Sequence, residues 1–174
     1  MIRALSVIVG CLVGIGLLLV QPTAAFALPS PAPILATGSL FSFSGQRPTG
    51  LGVQAGELAD CPSSPNCVSS QSHDLSHLIE PIPYTGDPAT AIAQLQSVIE
   101  NLPRAEIIEA TDTYLYAEFT SALMGFVDDV EFYVDAINGV IQMRSASRLG
   151  ESDLGVNRKR MEAIRQKLLL SSLG

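Results

Sequence analysis

The chain has little of several residue types on which common binding and catalytic functions depend. Its 174 residues include no tryptophan, two histidines and three cysteines, and 17 acidic residues outnumber 10 basic ones. A formal net charge of −7 argues against broad nucleic-acid binding, which needs an extended basic surface. The strings G-x-S-x-G and C-x-x-C do not occur, so the motifs typical of α/β-hydrolases and of thioredoxin-like redox proteins are missing.

Basic residues are also unevenly distributed. Between Thr49 and Met143 there are 14 acidic residues and one basic residue, Arg104, whereas the segment from Arg144 onward has seven basic and three acidic residues. An acidic body with a basic C-terminal segment favours a local anion site or internal charge pairing.

Charged residues are absent from positions 4–20, where apolar residues dominate. Arg3 before this run and Ala25-Phe26-Ala27 after it are typical of a signal peptide, so we predict export with cleavage after Ala27. One alternative is an uncleaved anchor, for which a run of 17 residues is close to the lower limit. The other is lipidation at Cys11, although the apolar run continues past that residue.

Cleavage would leave residues 28–174, a length that suits one domain with a hydrophobic core. Residues 28–60 are rich in Pro, Gly, Ser and Ala and show no apolar period. This composition predicts a linker or tail lying over the domain. The domain itself is expected at 61–172 and begins with a dense turn region at 61–74.

Two helices are predicted from capping residues and apolar spacing. Asp87 is a typical N-cap and Pro88 suits the first helical position. Apolar residues then recur at helical spacing at Ile92, Leu95, Val98/Ile99 and Leu102. A last helix is expected after a cap at Ser152 or Asp153.

Four strands are predicted between the helices, at 105–110, 114–121, 127–135 and 140–148, with a tight turn at Asn138-Gly139. A short edge strand at 77–82 precedes the first helix. The order β-α-β-β-β-β-α predicts an α+β domain in which two helices cover one face of an antiparallel sheet of four to five strands, with a helix-grip or TBP-like topology.

Four long strings carry a family resemblance, namely Cys61–Gln71, Phe126–Phe132, Arg144–Gly150 and Ser152–Arg160. In order and spacing they resemble the domain of unknown function family 1499 from about residue 58 to 170. Members of that family resemble exported or envelope proteins of bacteria, including cyanobacteria, and plastid proteins of plants. The resemblance therefore implies a periplasmic or thylakoid-lumen protein, together with domain limits, but no reaction.

Cys61 and Cys67 are the thiols left after the predicted cleavage, and we expect a disulfide between them because an exported protein meets an oxidising compartment. A redox-active pair is one alternative, although the close spacing that lowers a thiol pKa is missing. A zinc site formed with His73 and His77 is another, with a cysteine gap wider than usual. No other metal or cofactor is predicted.

A nucleophilic site is a further alternative, because Ser69, Ser70, His73 and Asp74 are close in sequence. Turn regions are rich in serine, so a hydrolase-type enzyme ranks below a binding protein.

Acidic residues crowd the strand at 127–135. Asp128, Asp129, Glu131 and Asp135 are interpreted as a solvated outer face that also protects a sheet edge. The alternatives are pairing with the basic C-terminal segment and a calcium site, although a strand lacks the loop geometry of a calcium-binding hand.

The basic segment is the leading candidate site for an anion or headgroup, because arginines near a helix N-terminus suit a carboxylate or phosphate. The candidate residues are Arg144, Ser145, Ser147, Arg148, Asn157, Arg158 and Arg160. The alternative is internal pairing of these arginines with Glu118, Asp128, Asp129 and Asp153, which would fasten the last helix to the sheet.

Together these features predict a non-enzymatic protein that binds an apolar or anionic amphiphilic ligand, such as a lipid-like molecule, between sheet and helices. The second hypothesis is an interaction or assembly factor with a filled core and a membrane-associated protein partner. A continuous cavity under the sheet would favour the first hypothesis, and a solid core with an exposed apolar patch the second.

Overall fold

The structure, a computed structural model, describes residues 43–171. The predicted signal peptide and the first part of the predicted linker lie outside the described residues. Within them, the strands are β1 (Cys67–Ser69), β2 (Ile82–Pro83), β3 (Ala105–Ala110), β4 (Tyr114–Thr120), β5 (Val127–Asp135) and β6 (Val140–Ser147). The helices are α1 (Pro88–Glu100) and α2 (Val156–Ser171).

All six strands belong to one antiparallel sheet in the order β1-β6-β5-β4-β3, with β2 also pairing with β6. The α+β class is confirmed, and the helix-grip or TBP-like topology stays a prediction. The single edge strand predicted at 77–82 is replaced by two short ones, because β1 and β2 pair with successive parts of β6. None of the helices in residues 43–171 is long and apolar enough to cross a bilayer.

Helix α1 forms where its capping residues predict it. The Asp87 carboxylate accepts a hydrogen bond from the Thr90 N–H at 2.9 Å, which satisfies one of the free donors of the first turn. Leu95 and Ile99 on its inner face are fully buried.

Both helices pack on the same face of the sheet, which we call the helix face. Alternate residues of β4, β5 and β6 point toward it, and Leu115, Phe132 and Met143 are fully buried there. Met161 and Ile164 of α2 fill the space above them and are also fully buried. The layer between sheet and helices is therefore a packed hydrophobic core.

The opposite face of the sheet is covered by residues 43–60, which we call the strap. The Leu58 side chain is 5% exposed and belongs to a small apolar cluster with Tyr114 and Tyr116. Its N–H donates to the side-chain oxygen of Gln71 at 2.9 Å, and the Gly52 N–H donates to Glu131 at 2.7 Å. The strap is thus bonded to the rest of the domain at two separate points, and we call the face of the sheet that it covers the strap face.

Candidate functional site

The structure does not bring the seven predicted anion-site residues together. Alternate residues of a strand point to opposite faces, so Arg144 and Arg148 lie on the strap face while Ser145 and Ser147 lie on the helix face. Arg158 lies elsewhere again and donates to two carbonyl oxygens of the loop before α1, those of Leu78 at 2.7 Å and Ser76 at 2.8 Å.

On the strap face, Arg148 holds two carboxylates. Its Nε lies 3.1 and 3.0 Å from the two oxygens of Asp129, its Nη2 lies 2.7 Å from Asp129 Oδ1, and it also contacts Glu118. The Tyr116 hydroxyl lies 2.6 Å from Asp129 and 2.9 Å from Glu118. Arg47 of the strap closes this group with its Nε 2.6 Å from Glu118. These ion pairs and hydrogen bonds raise the pKa of Arg148, with Asp129 as the main cause.

Next to this group, Glu131 and Arg144 form a second buried ion pair at 3.2 Å. The Glu131 side chain is fully buried, and its other oxygen accepts hydrogen bonds from the Tyr114 hydroxyl at 2.9 Å and the Gly52 N–H at 2.7 Å. Arg144 Nη2 lies 3.4 Å from the carbonyl oxygen of Asp60. Both ends of this pair therefore depend on the strap.

Burial is the main cause that raises the pKa of Tyr114 and Tyr116 above the ordinary value of 10. The neighbouring Glu131 raises the pKa of Tyr114 further, and Asp129 and Glu118 do the same for Tyr116. Both phenols are consequently neutral donors at neutral pH, which matches their role beside carboxylates.

The interpretation of the acidic strand as a solvated outer face is wrong. Asp129 and Glu131 are 1% and 0% exposed because the strap and two arginines cover them. Asp128 points to the helix face and pairs with Arg160 at 2.6 Å. Asp135 accepts hydrogen bonds from Asn138 in the hairpin turn. The alternative of internal pairing is the arrangement that the structure has.

The remaining predicted site residues fasten α2 to the helix face. Asn157 is fully buried, contacts the Ser145 hydroxyl, and donates to the Asn66 carbonyl oxygen at 2.9 Å and to Ser147 at 3.1 Å. Arg160 donates to Asn157 at 2.6 Å, and its guanidinium carbon lies 4.8 Å from the centre of the Phe119 ring. Asp153 caps α2 by accepting from the Asn157 N–H at 2.6 Å instead of pairing with an arginine.

Cys61 and Cys67 form the predicted disulfide, which joins the end of the strap to β1. Their thiols are thereby removed from the alternative zinc site, and the His77 ring lies 2.8 Å from the Cys67 carbonyl oxygen. Within residues 43–171, no three His, Cys, Asp or Glu side chains are grouped to hold a metal ion. The hydroxyls of Ser69 and Ser70 bond to backbone or amide groups, and among the described contacts neither hydroxyl reaches a histidine ring.

A groove that contains aromatic side chains lies on the strap face and has a volume of about 690 Å³. We call it the tyrosine groove. One wall is the strap from Arg47 to Val53, and the floor and other wall are side chains of β3, β4, β5 and the β3–β4 turn. The floor residues are Ile108, Glu109, Thr111, Thr113, Tyr114, Tyr116 and Tyr133.

Sequence reasoning missed this groove, although one signal was available. Tyr114, Tyr116 and Tyr133 occupy the positions that alternate with the core residues of β4 and β5, and bulky aromatic residues at such positions indicate a second buried layer. The strap forms the other wall. Its sequence has no apolar period, so the face of the domain on which it lies could not be predicted.

Comparison with known proteins identifies one family. Residues 57–168 match the family described as "Protein of unknown function (DUF1499)". Neither the curated proteins nor the solved structures include a significant match. The matched range includes the sheet side of the tyrosine groove and begins after the strap residues that line its other wall.

Proposed function

Because the chain belongs to the domain of unknown function family 1499, which has no assigned activity, we propose a function from its geometry. The protein is a non-enzymatic binding protein that holds a small amphiphilic molecule in the tyrosine groove. This site replaces the one expected from the sequence, between sheet and helices, because fully buried side chains such as Phe132 and Met161 fill that layer. The predicted signal peptide would deliver the protein to the periplasm or the thylakoid lumen. The observation that carries this proposal is an open groove of about 690 Å³ whose lining includes Tyr114 and Tyr116, each bonded to a buried carboxylate.

The volume and lining of the groove support this proposal. Sites for small molecules have volumes of roughly 300–1,000 Å³ and combine apolar and aromatic walls with a few polar groups. Leu51, Val53 and Ile108 supply apolar surface here. The hydroxyls of Tyr114 and Tyr116 are bound to carboxylates, so the rings are held in place before a ligand arrives. A rigid aromatic floor suits a ligand with a flat apolar body.

The polar end of the ligand is assigned to Arg47. Its side chain is 51% exposed, its Nε is bound to Glu118, and its guanidinium carbon lies 5.8 Å from the centre of the Tyr116 ring. The terminal nitrogens of Arg47 make no hydrogen bond to other described residues, so they can bind a carboxylate or phosphate. The arginines that the sequence favoured for this role, at positions 144, 148, 158 and 160, are bound to internal partners.

Native mass spectrometry of the protein purified from the cells that make it tests this proposal. We expect an extra mass on the wild-type chain that is lost in Tyr133→Ala. Tyr133 lines the groove and is half-buried, and no described ion pair depends on it. Tyr84→Ala is the matched control, because Tyr84 is also half-buried but packs on the helix-face core. The control should keep the extra mass.

A bare mass for the wild-type chain would contradict the proposal and favour the assembly-factor hypothesis. An extra mass that survives in Tyr133→Ala would place the ligand outside the tyrosine groove. If Arg47→Gln weakens retention of the ligand, its polar end is anionic; if retention is unchanged, the assignment of Arg47 is wrong.

A further inference from the structure

Large apolar side chains are exposed at the end of the sheet where β4 and β6 finish and β5 begins. Because neighbouring strands are antiparallel, the loops at 121–126 and 148–155 meet there. Of the large hydrophobic residues that are exposed within residues 43–171, five belong to this end, which we call the apolar end. They are Phe43, Leu123, Leu149, Leu154 and Val156.

Two of these side chains are largely exposed to solvent on the loops. Leu154 is 86% exposed and Leu123 is 65% exposed. Beside them opens a mainly apolar groove of about 370 Å³ between α2, the end of α1 and the end of β4, with Leu102, Phe119 and Val156 among its lining residues. The apolar end thus combines protruding leucines with an open apolar channel.

The described chain also begins at this end. The Phe43 N–H donates to the Met124 carbonyl oxygen at 3.3 Å, and the Phe43 ring stacks on Phe126 at 5.7 Å between centroids. After the predicted cleavage site, the sequence between Ala27 and Arg47 has no charged residue and no histidine. An uncharged chain of that length is compatible with an apolar–water interface, where each buried charge would be costly.

We propose that the apolar end docks on a lipid bilayer, with Leu123 and Leu154 inserted below the headgroups. The loops 121–126 and 148–155 have three charged residues, Arg148, Glu151 and Asp153, and the chain has a net charge of −7. Arg148 is bound to Asp129 and Glu118 on the strap face, so no free positive charge of these loops attracts an anionic headgroup. Binding therefore depends on apolar insertion, and neutral headgroups are preferred over anionic ones. This surface is separate from the tyrosine groove, so either proposal can fail without the other.

The test uses single tryptophans in the full-length chain, which has none of its own. Leu154→Trp and Leu123→Trp place the probe at the apolar end, where exposure leaves room for the ring. Ile137→Trp is the matched control, because Ile137 is 97% exposed in the β5–β6 hairpin at the other end of those strands. Each variant is mixed with phosphatidylcholine vesicles, with and without phosphatidylglycerol, and with lipids brominated on their acyl chains.

We expect a blue shift and quenching by brominated lipids at positions 154 and 123, neither effect at position 137, and weaker effects when phosphatidylglycerol is added. Because the readout is local, attachment through residues 1–42 alone would leave all three probes unshifted, which would overturn the proposal. Equal quenching at all three positions, or a shift only with phosphatidylglycerol, would also overturn it.

Discussion

The two faces of the sheet are built from the same three central strands, yet they are stabilised in different ways. On the helix face, β4, β5 and β6 present apolar residues such as Phe132 to two amphipathic helices. On the strap face, alternate residues of those strands present carboxylates, arginines and tyrosines to an irregular segment.

The two faces differ in how strictly their stability requires particular side chains. Apolar packing stabilises through buried area, so several side chains can replace one another if volume is kept. A buried ion pair requires each partner to remain, because an unpaired charge in the interior is costly. The strap-face network balances three carboxylates with three arginines and becomes complete only when the strap contributes Arg47 and the Gly52 N–H. The ionic face therefore determines where the strap lies.

The largest effect is expected from breaking the Glu131–Arg144 pair. Arg144→Met leaves a fully buried carboxylate without its counter-ion, and we expect a loss of about 3–5 kcal/mol in the free energy of unfolding. Urea denaturation followed by circular dichroism measures it.

The matched control is the double variant Glu131→Leu/Arg144→Met, which removes both charges. It should be markedly more stable than Arg144→Met alone, since no charge is left unpaired. If the single variant unfolds at the wild-type urea concentration, the strap face is not the ionic layer described above.

A smaller loss is expected when the strap is released from β1. Replacing both cysteines, Cys61→Ser and Cys67→Ala, opens a seven-residue loop and should cost about 2 kcal/mol in the chain-entropy model. The same loss should appear when the wild-type protein is unfolded in a reducing buffer. Equal stability in oxidising and reducing buffers would show that the disulfide contributes nothing to the attachment of the strap.

The pH dependence of stability distinguishes the two faces, because the tyrosines with raised pKa values lie on the strap face. Only small changes of side chain are needed to test it. The pKa values of Tyr114 and Tyr116 are raised above the ordinary value of 10, so the folded state holds more protons than the unfolded state at alkaline pH. The stabilisation is complete below pH 10 and declines as the pH rises above it. In Tyr114→Phe/Tyr116→Phe this alkaline decline should be smaller, as thermal unfolding across the pH range will show. An unchanged alkaline decline would mean that other groups cause it.

The smallest of these effects is expected on the helix face, at the cap of α2. Asp153→Ala removes the acceptor for the Asn157 N–H and should cost about 1 kcal/mol. Asp153→Asn keeps an acceptor and should lose less. A large loss in both variants would show that Asp153 has a role beyond capping.

The helix face could be predicted from the sequence because its residues repeat at helical or strand spacing and its helices have capping signals, as at Asp87. Strand spacing also explains why Arg144 and Arg148, which are four residues apart, lie on one face. The seven residues predicted for an anion site do not share one face, because strand alternation places Ser145 and Ser147 on the face opposite Arg144 and Arg148. The acidic strand was wrongly interpreted as solvated, because the alternating positions of Asp129 and Glu131 look the same in the sequence whether that face is covered or exposed. Their cover comes from a segment about 80 residues earlier in the chain, as the Gly52–Glu131 bond shows.

Hydrogen exchange at the Gly52 and Leu58 amides is the most direct test that the strap is an integral layer of the fold. Both N–H groups donate to side chains of the domain, so we predict exchange as slow as that of amides in the central strands. Glu131→Gln should accelerate exchange at Gly52 more than at Leu58, since only Gly52 is bonded to that carboxylate. Exchange at the rate of an unstructured peptide at both amides would contradict the account, because the strap face and the tyrosine groove would then have no fixed wall.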